Sequence, residues 1–123
     1  MTAAFLEPSR SELVTFGVTT APTHVLVRAT GEIDSSSAPA LRSELTSVLD
    51  LTPPEIVLDL GGITFLDSAG LSVLAAAHRR ATAEGVRLRV LVSGRAVVRP
   101  LQITGLWQLL DARLVEPDGG RDG

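Results

Sequence analysis

Residues 56–71 read IVLDLGGITFLDSAGL. The first five, Ile56 to Leu60, form a short, mostly apolar run of the kind that makes a strand buried on both faces and central in a sheet. Beyond Gly61-Gly62 the pattern changes. Asp67-Ser68-Ala69-Gly70 opens a helix that carries Leu71, Leu74, Ala75 and His78 on one stripe and ends at Glu84-Gly85. A buried strand feeding an amphipathic helix is the first half of a strand–helix–strand crossover, so the next strand lies parallel to it.

Working outward toward the N-terminus, Leu13 to Thr19 is a plausible strand. After Ala21-Pro22-Thr23, a second strand has Val25, Val27 and Ala29 alternating with Leu26 and Arg28, which makes a hairpin the economical reading. Gly31-Glu32-Ile33-Asp34 then leads into Ser35-Ser36-Ser37, whose hydroxyls suit a helix N-cap, with Pro39 acceptable in the first turn. Ala38, Leu41, Leu45, Val48 and Leu49 follow at helical spacing, so this helix ends near Asp50. Toward the C-terminus come a strand over Val86 to Val92, a third helix from about Val97 to Thr104, a short Leu106 to Leu110 segment and a last strand at Arg113 to Val115. An interior proline costs a helix about 3 kcal/mol, which favours a third-helix start near Val97 or Val98 that places Pro100 in the first turn.

A hairpin followed by alternating helices and strands demands a mixed sheet. The expectation is one α/β domain over residues 13–115, with about four to five strands packed with about three to four helices. Residues 1–12 and 116–123 read as flexible ends, the latter being Pro117-Asp118-Gly119-Gly120-Arg121-Asp122-Gly123 after Glu116. The chain has 123 residues, 45% hydrophobic and 20% charged, which suits one domain with one core. With 3% aromatic residues, that core is built of Leu, Val, Ile and Ala.

Several function classes drop out on composition. No cysteine is present, which removes disulfides and thiolate metal sites, and His24 and His78 are too scattered to suggest a metal centre. The net charge of −3 argues against general attraction to nucleic acid. Arg79, Arg80, Arg87, Arg89, Arg95 and Arg99 crowd one part of the chain and could form a surface for an acidic partner. Arginine-only cations beside abundant alanine also fit a GC-rich coding bias, which is the preferred explanation. No Gly-x-Gly-x-x-Gly or Walker-type phosphate loop occurs, so no nucleotide cofactor is expected. The N-terminus lacks a signal-peptide pattern and no apolar run is long enough for a membrane span. The expected location is the cytoplasm, away from membranes.

The polar step Asp67-Ser68-Ala69-Gly70 is where chemistry could sit. Its plainest explanation is an N-cap, worth about 1 kcal/mol. A serine at a strand-to-helix turn also suggests a hydrolase elbow, but Leu66 stands where Gly-x-Ser-x-Gly requires glycine, and His78 lies down the same helix. The helix start offers an anion site, as every helix start does. A third possibility is that Ser68 accepts a phosphoryl group, whose added charge changes binding.

Gly31-Glu32-Ile33-Asp34, then Ile56 to Leu60, then Phe65 to Leu71, taken in that order, resemble the STAS family of anti-sigma-factor antagonists. The later Ala96-Val97-Val98-Arg99 and Ile103-Thr104-Gly105-Leu106 resemble that family's closing helix and turn. The similarity covers roughly residues 13 to 115. It implies that Ser68 is the serine phosphorylated by a partner kinase, with Asp67 just before it and Asp34 nearby, and that Asp34, Asp67, Ser68, Ala69 and Gly70 form the partner-binding surface. Ala69 departs from relatives that carry a second hydroxyl there. Gly31 and Gly70 match family glycines; a turn at Gly31, close packing at Gly70 and a helix cap at Asp34 explain the same residues without a partner.

The implied activity is that of a bacterial, non-enzymatic switch. The unphosphorylated protein binds an anti-sigma factor that is itself a serine kinase and so frees a sigma factor. Phosphorylation of Ser68 ends the complex, and a separate phosphatase restores it. No cofactor, metal, nucleic acid or membrane is implied. The alternatives are a STAS module in a stress-signalling scaffold or a lipid-transport complex and, more remotely, a small serine hydrolase.

Overall fold

The computed structural model describes residues 13–115; the two segments read as flexible ends lie outside the described residues. The elements run β1 (Val14–Thr20), β2 (Val25–Ile33), α1 (Ala38–Leu49), β3 (Glu55–Leu66), α2 (Ser68–Glu84), β4 (Arg87–Val92), α3 (Arg95–Thr104), α4 (Leu106–Leu109) and β5 (Arg113–Leu114). The five strands form one sheet in sequence order, with β1 antiparallel to β2 and every other pair parallel. The hairpin is closed by the Ala21 N–H donating to the His24 carbonyl (2.9 Å). This is the mixed α/β sheet the sequence implies.

Strand alternation decides which side chains face the helices. Val25, Val27 and Ala29 of β2, Ile56, Leu58 and Leu60 of β3, and Leu88, Val90 and Val92 of β4 are buried on one side. Against them lie Leu41, Leu45, Val48 and Leu49 of α1 and Val73, Leu74, Ala77 and Ala81 of α2. Each fully buried Leu or Ile contributes about 1.5–3 kcal/mol of transfer free energy. The other side of the same strands carries charge. Arg28 Nε lies 3.4 Å from Asp59 Oδ2, and Arg89 Nε 3.4 Å from Glu55 Oε2. Hence β3 is central but not buried on both faces, because Glu55, Val57 and Asp59 look away from the helices and are only half-buried.

Three further expectations need correcting. First, β3 continues six residues past Leu60. The β2–β3 register slips between Arg28↔Asp59 and Thr30↔Gly62, and again between Gly31↔Ile63 and Glu32↔Phe65. Two bulges therefore absorb one extra residue at Leu60-Gly61 and one at Thr64, and pairing resumes at Gly62 and at Phe65. Asp59 Oδ1 accepts from the Gly61 N–H (2.8 Å) and the Gly61 carbonyl from Ser93 Oγ (2.9 Å), which fixes the first bulge. Second, the buried stripe of α2 is Gly70, Val73, Leu74, Ala77 and Ala81. Leu71, Ala75 and His78 lie half-buried on its flank.

Third, α3 starts at Arg95, not at Val97 or Val98, which leaves Pro100 inside the helix. Gly94 supplies the earlier start. With φ 74° it turns the chain as no β-branched residue would, and its carbonyl accepts from the Val97 and Val98 N–H groups (3.2 and 3.1 Å). Gly105, φ 81°, then separates α3 from α4.

Candidate functional site

Ile33 and Leu66 are register partners at the ends of the parallel strands β2 and β3. The next residue on each strand is an aspartate, Asp34 on one and Asp67 on the other. The segments leaving the carboxyl ends of adjacent parallel strands gather at one edge, the place where open α/β sheets bind ligands. Here the Asp67 N–H donates to the Ile33 carbonyl (3.2 Å), tying the start of α2 to the end of β2.

Asp67 is the N-cap of α2, in extended conformation (φ −106°, ψ −170°). Its Oδ1 accepts from the N–H groups of Ala69 (2.9 Å) and Gly70 (3.4 Å). Two of the four orphan donors of the helix start are satisfied this way. Ser68 follows as the first helical residue. Its side chain is exposed, and among the described residues its hydroxyl has no hydrogen-bond partner. The positive end of the helix dipole lies beneath it, where negative charge is favoured by about 0.3–1 kcal/mol.

Gly70 plays a different part. It is buried, and a Cβ there would collide with Leu66 Cδ1 and approach Ile33 Cγ2 to 2.8 Å. Its missing side chain lets the first turn of α2 sit down on the two strand ends. Ala69 is half-buried between these two roles. Of the five residues that the resemblance assigns to a partner surface, Asp34, Asp67 and Ser68 come together at this edge, Ala69 is half-buried beside them, and Gly70 is enclosed beneath.

Asp34 organises the other loop. Its Oδ1 accepts from Ser36 Oγ (2.7 Å), the Ser36 N–H (2.8 Å) and the Ser37 N–H (3.2 Å). The Ser36 hydroxyl bond, then the Ser36 and Ser37 N–H bonds, hold the Asp34 carboxyl below its ordinary value against the opposing effect of burial. It is ionised at neutral pH. The expected hydroxyl cap of α1 is not formed: Ser37 occupies the N-cap position without a side-chain cap bond. Its buried hydroxyl instead donates to the Glu32 carbonyl (2.9 Å) and accepts from the Asp34 N–H (2.9 Å). The carboxylate of Asp34 reaches more donors than a serine can, so it takes over the turn.

One neighbour escapes the sequence pattern. Phe65, 46% exposed, stands beside Glu32 at the second bulge, two residues before Asp67. In an unbroken strand it would share a face with Ile63, which is buried. Only the bulge turns it outward, and nothing in the sequence marks that bulge. His78, meanwhile, lies ten residues down α2 from Ser68, about 15 Å along the axis, and is in no position to activate the hydroxyl. His24 sits in the hairpin turn, where its Nδ1 is 3.1 Å from Thr23 Oγ1. Among the described residues no helix is long and apolar enough to cross a membrane.

A family model described as the STAS domain matches residues 16–117. Anti-sigma-F factor antagonist RsfB of Mycobacterium tuberculosis is 36% identical over 76 residues, covering 62% of this chain and 62% of that protein. The match thus spans less than two thirds of that relative's length. The anti-sigma-B factor antagonist of Bacillus subtilis is 29% identical over 87 residues, covering 71% of this chain and 79% of that protein. A crystal structure of an anti-sigma factor antagonist from Mycobacterium paratuberculosis superposes with a TM-score of 0.73 at 34% identity, over 80% of this chain and 84% of that one.

Proposed function

The chain belongs to the STAS domain family, and we propose that it works as an anti-sigma factor antagonist whose switch is phosphorylation of Ser68. In this reading the unmodified edge formed by Asp34, Asp67, Ser68 and Ala69 docks on an anti-sigma factor that is itself a serine kinase, in the cytoplasm, and a sigma factor is set free. The kinase brings its own ATP and transfers the γ-phosphoryl group to Ser68 Oγ. A separate phosphatase hydrolyses the ester and returns the protein to its binding form. The chain acts as the substrate and ligand of other enzymes and performs no catalysis itself.

The observation that carries the reading is the Ser68 hydroxyl: exposed, without a hydrogen-bond partner among the described residues, and first in α2. It combines with relatives that are named anti-sigma factor antagonists. A phosphate adds about −1.5 to −2 charge at neutral pH. At Ser68 that charge falls beside the Asp67 carboxylate and on the edge that also holds ionised Asp34. A partner surface matched to a neutral hydroxyl then meets both bulk and concentrated negative charge. The helix start accommodates the phosphate from below, so the interface is lost while the fold is kept.

The test is calorimetric titration of four forms against the cognate kinase: unmodified, phosphorylated, Ser68→Ala and Ser68→Glu. Ser68→Ala should bind within about threefold of the unmodified protein and resist release by ATP. Ser68→Glu and the phosphorylated form should bind at least about a hundredfold more weakly, equivalent to about 2.7 kcal/mol. Equal affinity of the unmodified and phosphorylated forms would remove the switch. Phosphopeptide mapping that placed the label on exposed Ser72 would move it.

A further inference from the structure

Among the described residues β1 is an outer strand of the sheet, and its second edge has no partner strand and carries none of the devices that usually protect one. The seven residues of Val14–Thr20 include no charge, no proline and no bulge. The opposite edge, β5, is only two residues long and one of them is the charged Arg113, paired with Asp111 just before the strand. Register tells which groups on β1 are free. Pairing continues so that the Glu32 N–H donates to the Leu13 carbonyl (2.8 Å), and bonded pairs alternate along an antiparallel ladder. Thr15, Gly17 and Thr19 therefore bond inward to β2, while Phe16, Val18 and Thr20 turn their N–H and C=O groups outward. Val18 is also 44% exposed, although it stands opposite buried Val27 on the helix side.

Two observations point to the occupant of this edge. The strand is nearly symmetric about its middle residue: Val14-Thr15-Phe16 on one side of Gly17, Val18-Thr19-Thr20 on the other. Folded onto itself about Gly17, it places Thr15 opposite Thr19 on one face and Phe16 opposite Val18 on the other, an aromatic–β-branched pair of the kind that stabilises sheets. Among the described residues nothing accounts for Gly17. A Cβ there would touch nothing within 4 Å, and its φ is not in the left-handed region. A glycine inside a strand without such a need often marks close approach of another backbone.

We infer that β1 pairs antiparallel with β1 of a second copy about a two-fold axis through Gly17, joining two sheets into one continuous sheet of ten strands. The outward groups of Phe16 then bond to those of Val18 in the other copy, and the reverse, in the self-complementary way a two-fold interface requires. With no charge in the strand, two copies that each carry a net −3 meet without like-charge contact at the seam. β3, which leads into Ser68, lies two strands in from this edge, so both copies keep that site open.

Sedimentation equilibrium of the full chain should show a monomer–dimer equilibrium. Val18→Lys should raise the dissociation constant at least about tenfold and leave the thermal midpoint unchanged by circular dichroism. Because the chain contains no cysteine, Gly17→Cys supplies a positional check: two copies on the axis should form a disulfide on mild oxidation, whereas Ser47→Cys, exposed on α1, should not. A chain that stays monomeric into the millimolar range, a dimer that Val18→Lys leaves intact, or failure of Gly17→Cys to cross-link would each overturn the inference.

Discussion

Gly31 has φ 124°, and a Cβ at this position would collide with the carbonyl oxygen of Leu13. Gly31 is thus required twice, by its backbone conformation and by the close passage of β1. Strain at such a φ costs about 1–3 kcal/mol, and forcing a backbone apart adds a similar amount. Gly31→Ala should therefore lose about 3 kcal/mol or more in urea denaturation; a loss below about 1 kcal/mol would mean that the strand ends can move apart freely. Gly70 presents a milder case, because its obstacles are the ends of Leu66 and Ile33 side chains. The sequence suggested a turn at Gly31 and close packing at Gly70 beside the family resemblance, and the packing at Gly70 is what the structure shows, but neither glycine's neighbour could be named. The physical cause of each lies in a neighbour far along the chain. Asp67 and Ser68 were readable locally, because a polar step before an apolar helix has its meaning within four residues.

At the scale of elements, α3 contains a local conflict. Pro100 is its sixth residue, so the Ala96 carbonyl lacks the helical N–H donor four residues on. The helix persists because Val97 and Leu101, one turn apart, are fully buried. Thr104 Oγ1 also donates to the Pro100 carbonyl (2.8 Å). Interior proline costs about 3 kcal/mol relative to alanine, offset by about 1 kcal/mol of restricted unfolded chain. Pro100→Ala should accordingly stabilise the protein by about 2 kcal/mol in chemical denaturation, and a destabilisation would show that the ring makes packing contacts worth more than the missing bond. Sequence reasoning put the proline in the first turn because that is where a proline is cheapest. It had no means of seeing that Gly94 begins the helix two residues earlier. The same limit applies to β3: element order, type and central position were all readable from apolar runs, but its bulges depend on β2. A glycine pair looks the same whether it ends a strand or is absorbed in one. Phe65 was missed for that reason, since its exposure exists only after Thr64 is displaced from the ladder.

For the molecule as a whole, one sheet face is packed by helices and the other holds Arg28, Asp59, Glu55 and Arg89 in ion pairs. The hydrophobic core lies on one side of the sheet, and Ser68, the proposed phosphoacceptor, sits at its edge rather than over it. The hydrogen bond from the Asp67 N–H to the Ile33 carbonyl has a consequence in time as well as in space. It can form only after two parallel strands have met across α1; nearby, Thr64 Oγ1 reaches the Gly31 carbonyl across 33 positions of sequence (3.3 Å). Such non-local closure is slow and comes late on a folding pathway. Ser68 therefore reaches this geometry only in a finished chain, and under the proposed function a kinase that reads it inspects folding before it signs. A peptide of residues 61–75 contains Ser68 with all its immediate neighbours and none of that geometry. Assayed with the cognate kinase, it should be phosphorylated at least about a hundredfold less efficiently than the intact protein, a difference of about 2.7 kcal/mol in transition-state stabilisation. Comparable efficiency would mean that the kinase reads sequence alone. Where the difference holds, misfolded or half-synthesised copies stay outside the circuit, and the switch counts only molecules able to throw it.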